Sequence, residues 1–266
     1  MYGRFAFHDV MTRCSSALGP IGSGLKFACS ALLELLLPGS CAGCRRIRTP
    51  LERSWCPACW NQIPWIVSPL CPVCGRPFRD SGASSNYLCG ECAKSAFYFD
   101  TARSATFHEG IVRDRVHQLK FGSQTEWAPP LVELLEMAYS GWGLPAPDLI
   151  VPVPLHLKRL AQRGFNQSGL LASRLGRKLK APVSNNIIRR KHRTQPQTRL
   201  SREQRLKNVK GAFEVADVQM ARGRRVLLVD DVFTTGTTLS ECAKTLKRRG
   251  GASEVHAITV TRALPD

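Results

Sequence analysis

Long hydrophobic runs are missing from this chain. The most apolar stretch, residues 31–37, carries Glu34 and stops at Pro38, far short of the roughly 20 residues a bilayer-spanning helix needs. A secretory leader is missing too: residues 1–15 hold Arg4, His8, Asp9 and Arg13 and no clean apolar segment. The expected compartment is therefore the cytoplasm, without a transmembrane anchor, where thiols stay reduced. Acidic residues are scarce, 20 against 38 Lys+Arg in 266 residues, for a net charge of +18. So basic a chain favours polyanionic or phosphorylated partners and leaves the fold open. No Gly-x-x-x-x-Gly-Lys-Ser/Thr and no Gly-x-Gly-x-x-Gly occurs, which removes the usual nucleotide-loop signatures. No Ser/His/Asp or Cys/His set stands out, and the six histidines are scattered. With 43% apolar and 22% charged residues, a disordered chain, a collagen and a coiled coil are all excluded.

Two features are abundant, and both are clustered. Residues 156–210 hold sixteen Lys/Arg and the single acid Glu203, a net of +15. Eight of the eleven cysteines form four Cys-x-x-Cys pairs: Cys41/Cys44, Cys56/Cys59, Cys71/Cys74 and Cys89/Cys92. The chain divides accordingly. Residues 1–40 read as a leader with one short helix over roughly 25–37. Residues 41–95 are rich in Cys, Pro and Trp, with little periodicity. From about 100 to 266 the pattern is α/β. Buried strands are expected at 148–153, 225–229 and 255–260, and helices at 167–180 and 237–249. Strands alternating with helices predict a parallel sheet flanked by helices.

A two-residue gap folds Cys-x-x-Cys into a tight knuckle, and two knuckles complete a tetrahedral site of four thiolates. Eleven residues separate Cys44 from Cys56, and fourteen separate Cys74 from Cys89. Both gaps suit a short hairpin, so two zinc ribbons in tandem are the simplest arrangement. A cross-braced pairing and an Fe–S cluster stay open on spacing alone. A shell of four thiolates has no open position for water, so such zinc is structural.

The sharpest motif lies at 226–238. Val226-Leu227-Leu228-Val229 reads as a buried strand, and Asp230-Asp231 follow at its carboxyl end, where open α/β sheets bind ligands. Thr234, Thr235, Gly236, Thr237 and Thr238 then lead into a helix. Backbone N–H groups, threonine hydroxyls and the helix N-terminus together make an anion site, and Gly236 permits close backbone approach. Paired acids beside such a cradle suit a sugar phosphate.

Residues 226–238 resemble the phosphoribosyl diphosphate (PRPP) motif of type I phosphoribosyltransferases. Val151-Pro152-Val153-Pro154-Leu155, then Arg163-Gly164-Phe165-Asn166-Gln167, then Gln197, Arg205, Asn208 and Gly211-Ala212-Phe213 narrow the likeness. With the cysteine module in front, the order is similar to that of the ComF family. The resemblance implies a type I phosphoribosyltransferase-like fold behind a double zinc ribbon. It implies that Asp230 and Asp231 bind ribose hydroxyls, that Thr234–Thr238 hold the 5′-phosphate, and that the segment after Val153, with Arg163, faces diphosphate. Residues 191–207 would be a mobile hood. Magnesium would accompany PRPP. Purine-salvage members place an acid where Thr234 stands, so a hypoxanthine or guanine acceptor is disfavoured. Glutamine-dependent members carry a glutaminase where this chain has its cysteine module. The competence association of the family adds single-stranded DNA and a protein of the competence machinery as expected partners. The alternative to an enzyme is a DNA-handling module on the same fold. Phe165 is the only aromatic residue in 156–210, which favours backbone contact over base readout.

Metal analysis of the purified protein should find about two zinc ions per chain, because structural zinc on four thiolates binds with about 10–16 kcal/mol in model fingers. Intact disulfides with no zinc would contradict the metal reading.

Overall fold

The computed structural model describes residues 39–49, 52–78, 87–94, 96–122, 124–191 and 211–264. The expected leader helix at 25–37 and the expected hood, from residue 192 onward, lie outside the described residues. Two short helices, α1 (Pro57–Trp60) and α2 (Gly90–Lys94), belong to the cysteine-rich part. Then follow β1 (Thr101–Phe107), α3 (Gly110–Phe121), α4 (Ala128–Gly141), β2 (Leu149–Pro152), α5 (Leu157–Arg163) and α6 (Gln167–Leu179). A short antiparallel ribbon of β3 (Ile188–Arg190) and β4 (Phe213–Val215) precedes β5 (Arg225–Phe233), α7 (Thr237–Gly250) and β6 (Glu254–Arg262).

The strands β1-β6-β5-β2 form one parallel sheet in that order. The strands and helices expected between residues 148 and 260 are all present; β5 and β6 run further than their apolar cores, while β2 is confined to Leu149–Pro152. Strand β5 continues through Asp230 and Asp231 to Phe233 because β6 pairs with it along that length, Asp230 opposite Thr259 and Phe233 opposite Arg262. Successive side chains on β5 enter opposite cores. Leu227 and Val229 pack with Val116 and Leu119 of α3, Leu131 of α4 and Leu171 of α6. Val226 and Leu228 pack with Leu239, Ala243 and Leu246 of α7 and with Phe213. Burial on both faces explains why this strand reads as an unbroken apolar run.

The cysteine-rich part closes the sheet's free edge. Residues 64–73 run beside β1: Phe107 N–H donates to Pro64 O (2.8 Å), Ile66 N–H to Ala105 O (3.1 Å) and Ala102 N–H to Val73 O (2.7 Å). An edge strand that would otherwise present unpaired backbone groups is thereby covered. The chain on either side of this segment folds onto opposite faces. Cys41, Cys56, Cys59 and Trp55 join one core, while Cys71, Cys74, Cys89 and Phe99 join the other.

Two buried arginines fasten these folds to the sheet domain. Arg115 of α3 donates to the carbonyls of Ala42 and Gly43, the latter at 2.8 Å, and lies over the Trp127 ring at 4.3 Å. Arg262, the last residue of β6, donates to Cys74 O at 2.6 Å and lies over Phe233 at 4.1 Å. Each guanidinium thus gives a knuckle carbonyl a charge-assisted hydrogen bond.

Candidate functional site

The eight cysteines gather as two groups, Cys41/Cys44/Cys56/Cys59 and Cys71/Cys74/Cys89/Cys92, with the sulfurs of each group within 4.8 Å of one another. The pairing is tandem, not cross-braced. Cys44 and Cys56 Sγ are 3.8 Å apart, and Cys74 and Cys89 Sγ 3.5 Å. A zinc ion about 2.3 Å from each of four tetrahedral thiolates sets sulfurs about 3.8 Å apart, so both groups fit zinc. Cys41 Sγ also accepts N–H bonds from Gly43 (3.3 Å) and Cys56 (3.2 Å), which stabilise a thiolate. All the described cysteines are free thiols. In the second group the turn after Cys74 needs Gly75, which sits at φ +69° with a Cβ position only 2.6 Å from Ala102 O.

A cavity of about 740 Å³ opens over the carboxyl ends of the strands. Asp230, Asp231, Thr234, Thr238 and Arg163, all singled out in the sequence, line it. Thr235, Gly236 and Thr237 belong to the adjoining loop and are not in its wall. Asp231 is buried, not exposed as a bare strand end would be, and Lys120 Nζ of α3 lies 3.0 Å from its Oδ2. Asp230 is half-buried. Its Oδ1 accepts from Ser168 Oγ (2.8 Å) and from the Asp231 N–H (3.0 Å). Ser168 at the start of α6 thus holds Asp230, while Lys120 of α3 holds Asp231. Burial first, and then the charge of Asp231, push the Asp230 carboxyl up to about 7; Ser168 and Lys120 oppose the rise.

The Arg163–Gln167 stretch builds the facing wall. Asn166 caps α6 by accepting the Ser168 N–H (3.1 Å), and its Nδ2 donates to Val153 O (3.1 Å), tying the helix start to the end of β2. Gln167, only 4% exposed, lines the cavity with its Oε1 unpaired. Arg163 lies over the Phe121 ring at 4.8 Å. In the loop, Gly236 takes φ +74° as the N-cap of α7. A Cβ there would meet Phe233 Cζ at 2.6 Å and Phe97 Cε1 at 3.1 Å. Glycine is thus required because the backbone rests on two aromatic rings, a reason different from open access to a ligand. Thr235 and Thr237 hydroxyls bond each other at 2.9 Å.

Other wall residues belong to no motif of the sequence, although Arg159 and Arg190 lie in the basic segment 156–210. Lys120, His108 and His117 come from the β1–α3 region, Arg159 from α5 and Arg190 from β3. Each is more than 35 residues from the Asp pair, and none stands in a local motif. His108 Nδ1 is 2.8 Å from Thr261 Oγ1, and burial lowers its pKa. Of the other histidines, His156 is not in the wall and His192 lies outside the described residues.

Comparison with known proteins matches the same two parts. A family model described as "Double zinc ribbon domain" matches residues 32–93, and one described as "Phosphoribosyl transferase domain" matches residues 160–264. The Salmonella typhi protein named "DNA utilization protein YhgH" is 37% identical over 226 residues, covering 82% of this chain and 95% of that protein. "Competence protein F" of Haemophilus influenzae is 33% identical over 228 residues, covering 84% and 96%. The chain belongs to the ComF family. "Competence protein ComFC" of Bacillus subtilis, 27% identical over 218 residues, is a more distant relative. In this ComF protein the zinc-ribbon match resolves the metal in favour of zinc, and the cavity belongs to the phosphoribosyltransferase-type domain. No helix among the described residues is long and apolar enough to cross a membrane.

Folding raises the pKa of Asp230 above its value in the unfolded chain. Ionised Asp230 therefore opposes folding, and the penalty grows as pH rises from about 4 through about 7. Asp230→Asn should stabilise the ComF protein at pH 8 by about 1–3 kcal/mol, less than a dry site would give because the cavity is open to water. At pH 5 the gain should be smaller. Thermal denaturation at both pH values reads this, and a destabilised variant at pH 8 would contradict it.

Proposed function

We propose that the chain binds PRPP with Mg2+ in the cavity at the carboxyl ends of β2 and β5 and transfers the phosphoribosyl group to an acceptor. The observation that carries this reading is the convergence of the Asp pair, of Thr234 and Thr238 at the α7 N-terminus, and of several cations on one cavity. The 5′-phosphate would rest on the N–H groups and hydroxyls of Thr234–Thr238 at the α7 N-terminus. Asp230 and Asp231 would accept hydrogen bonds from the ribose hydroxyls. The unpaired Oε1 of Gln167 supplies a further acceptor. Arg163 and Arg159 would face the diphosphate from α5, with Arg190 and Lys120 completing the cationic wall.

The chemistry needs positioning and charge, and no protein nucleophile. The bond from ribose C1 to the diphosphate oxygen breaks, and its electron pair leaves with diphosphate. The acceptor's lone pair forms the new bond to C1. Arg159 and Arg163 would hold the charge that develops on the leaving group, where Mg2+ carried by the diphosphate would add charge neutralisation, and the carboxylates would stabilise the oxocarbenium-like ribose. The hydroxyl of Thr234 cannot take a base proton as an acid at that position would, which argues against a hypoxanthine or guanine acceptor. The described cysteines, all free thiols, fit a reducing compartment such as the cytoplasm.

Single-stranded DNA is a second reading, supported by relatives named for DNA utilisation and competence and by the exposed cations Arg177, Lys180 and Arg189. Lys191, in contrast, pairs with Glu214 at 2.6 Å, and Arg190 lies over Phe213 at 5.4 Å. A protein of the competence machinery fits the same reading.

Calorimetry with Mg2+-PRPP tests the central reading. The Asp230→Asn/Asp231→Asn protein should fold and lose about tenfold or more in affinity, since each charged hydrogen bond contributes about 1.5–3 kcal/mol. Its binding to single-stranded DNA should survive, because removing acids cannot weaken phosphate attraction. Equal PRPP binding by both proteins, or by neither, would overturn the proposal.

A further inference from the structure

The second zinc ribbon and the phosphate loop share a wall of aromatic rings. Residues 97–99 leave the ribbon and run under the loop. Phe97 stacks on Phe99 at 4.7 Å, and Phe99 meets the edge of Phe233 at 6.3 Å. Phe97 and Phe233 are the two rings on which Gly236 rests. The Tyr98 N–H donates to Ser240 Oγ (3.1 Å) in the first turn of α7. From the other side, Arg262 bridges ribbon and loop. Its guanidinium lies over Phe233 at 4.1 Å, donates to Cys74 O at 2.6 Å and sits 3.7 Å from Cys74 Sγ. The residue is 6% exposed.

A buried guanidinium needs a counter-charge. No carboxylate pairs with Arg262 among the described residues. Four thiolates on one zinc ion carry a net charge of about −2, which is the missing partner. Arg103 completes the balance, donating to Pro72 O at 3.0 Å on the same knuckle. Among the described residues the first ribbon has no such route to the loop: its buried arginine, Arg115 of α3, leads to Trp127.

We propose that the second zinc ribbon, Cys71/Cys74/Cys89/Cys92, braces the phosphate loop, with Arg262 as the positioning residue that transmits the constraint through Phe233 to Gly236. Zinc occupancy of this ribbon then governs whether Thr234–Thr238 are ordered for an anion. The proposal rests on the reading that this loop holds the 5′-phosphate.

The test uses the full zinc-loaded chain and four variants: Arg262→Met, Arg262→Lys, Phe97→Ala and, as a control on the first ribbon, Arg115→Met. Amide exchange of residues 234–238 is followed without ligand, zinc content is measured, and Mg2+-PRPP affinity is read by calorimetry. Arg262→Met should keep two zinc ions yet speed exchange of the loop about fivefold or more. PRPP affinity should fall by about tenfold. Arg262→Lys, which keeps the charge, should recover part of both. Phe97→Ala should loosen the loop without touching the ribbon, and it decides the matter if Arg262→Met fails to fold. Loop exchange unchanged in Phe97→Ala and Arg262→Met, or equally raised in Arg115→Met, would overturn the brace. A loosened loop in a chain whose wild type ignores PRPP would uphold the brace and sink the PRPP reading instead.

Discussion

Strand β5 lies between β2 and β6, buried on both faces, and the site is an extension of it. Because β6 pairs with it up to Phe233, the strand delivers two carboxylates and then a loop to the same end of the sheet. Placing Asp230 beside Asp231 there is unfavourable, since one is buried and both are acidic. Lys120, Ser168 and the Asp231 N–H offset the cost from three directions. Those contacts require α3 and α6 to lie where they do. The positions of the flanking helices and the chemistry of the cavity are thus one constraint seen from two sides.

The sheet has a second requirement, closure of its β1 edge. Residues 64–73 supply it, and the two tetrathiolate folds grip the sheet from opposite faces. Neither fold has a core of its own: the buried cysteines belong to the same two clusters as the sheet. Small metal-held units with little apolar surface gain stability by sharing a larger core. The two metal sites are therefore built into the cores of the phosphoribosyltransferase-type domain.

The legible parts of the sequence were contiguous ones. The Asp pair and loop stand in one run of thirteen residues, 226–238, and the metal ligands stand in fixed pairs. The α/β pattern followed from apolar strands such as 226–229. Strand β1 was not legible, because its buried positions include Ser104 and Thr106. Their hydroxyls are satisfied by Thr259 and by Val260 O across β6, so they can be buried without an apolar signal. Lys120, Arg159 and Arg190 were missed for a different reason. They meet the Asp pair only through the topology, and no local spacing announces that. The buried state of Asp231 was equally hidden, since it depends on a lysine more than a hundred residues away. Gly236 stood out in the sequence as a point of close approach to a ligand, but the rings beneath it, which leave no room for a Cβ, could not be read there.

A crystal structure of the zinc-loaded protein with Mg2+-PRPP is the most direct measurement. The account predicts the 5′-phosphate within hydrogen-bond reach of the N–H groups of residues 235–238. It predicts the ribose hydroxyls on Asp230 and Asp231, and the diphosphate turned toward Arg159 and Arg163. PRPP bound elsewhere at saturating concentration, with the 234–238 loop untouched, would contradict it.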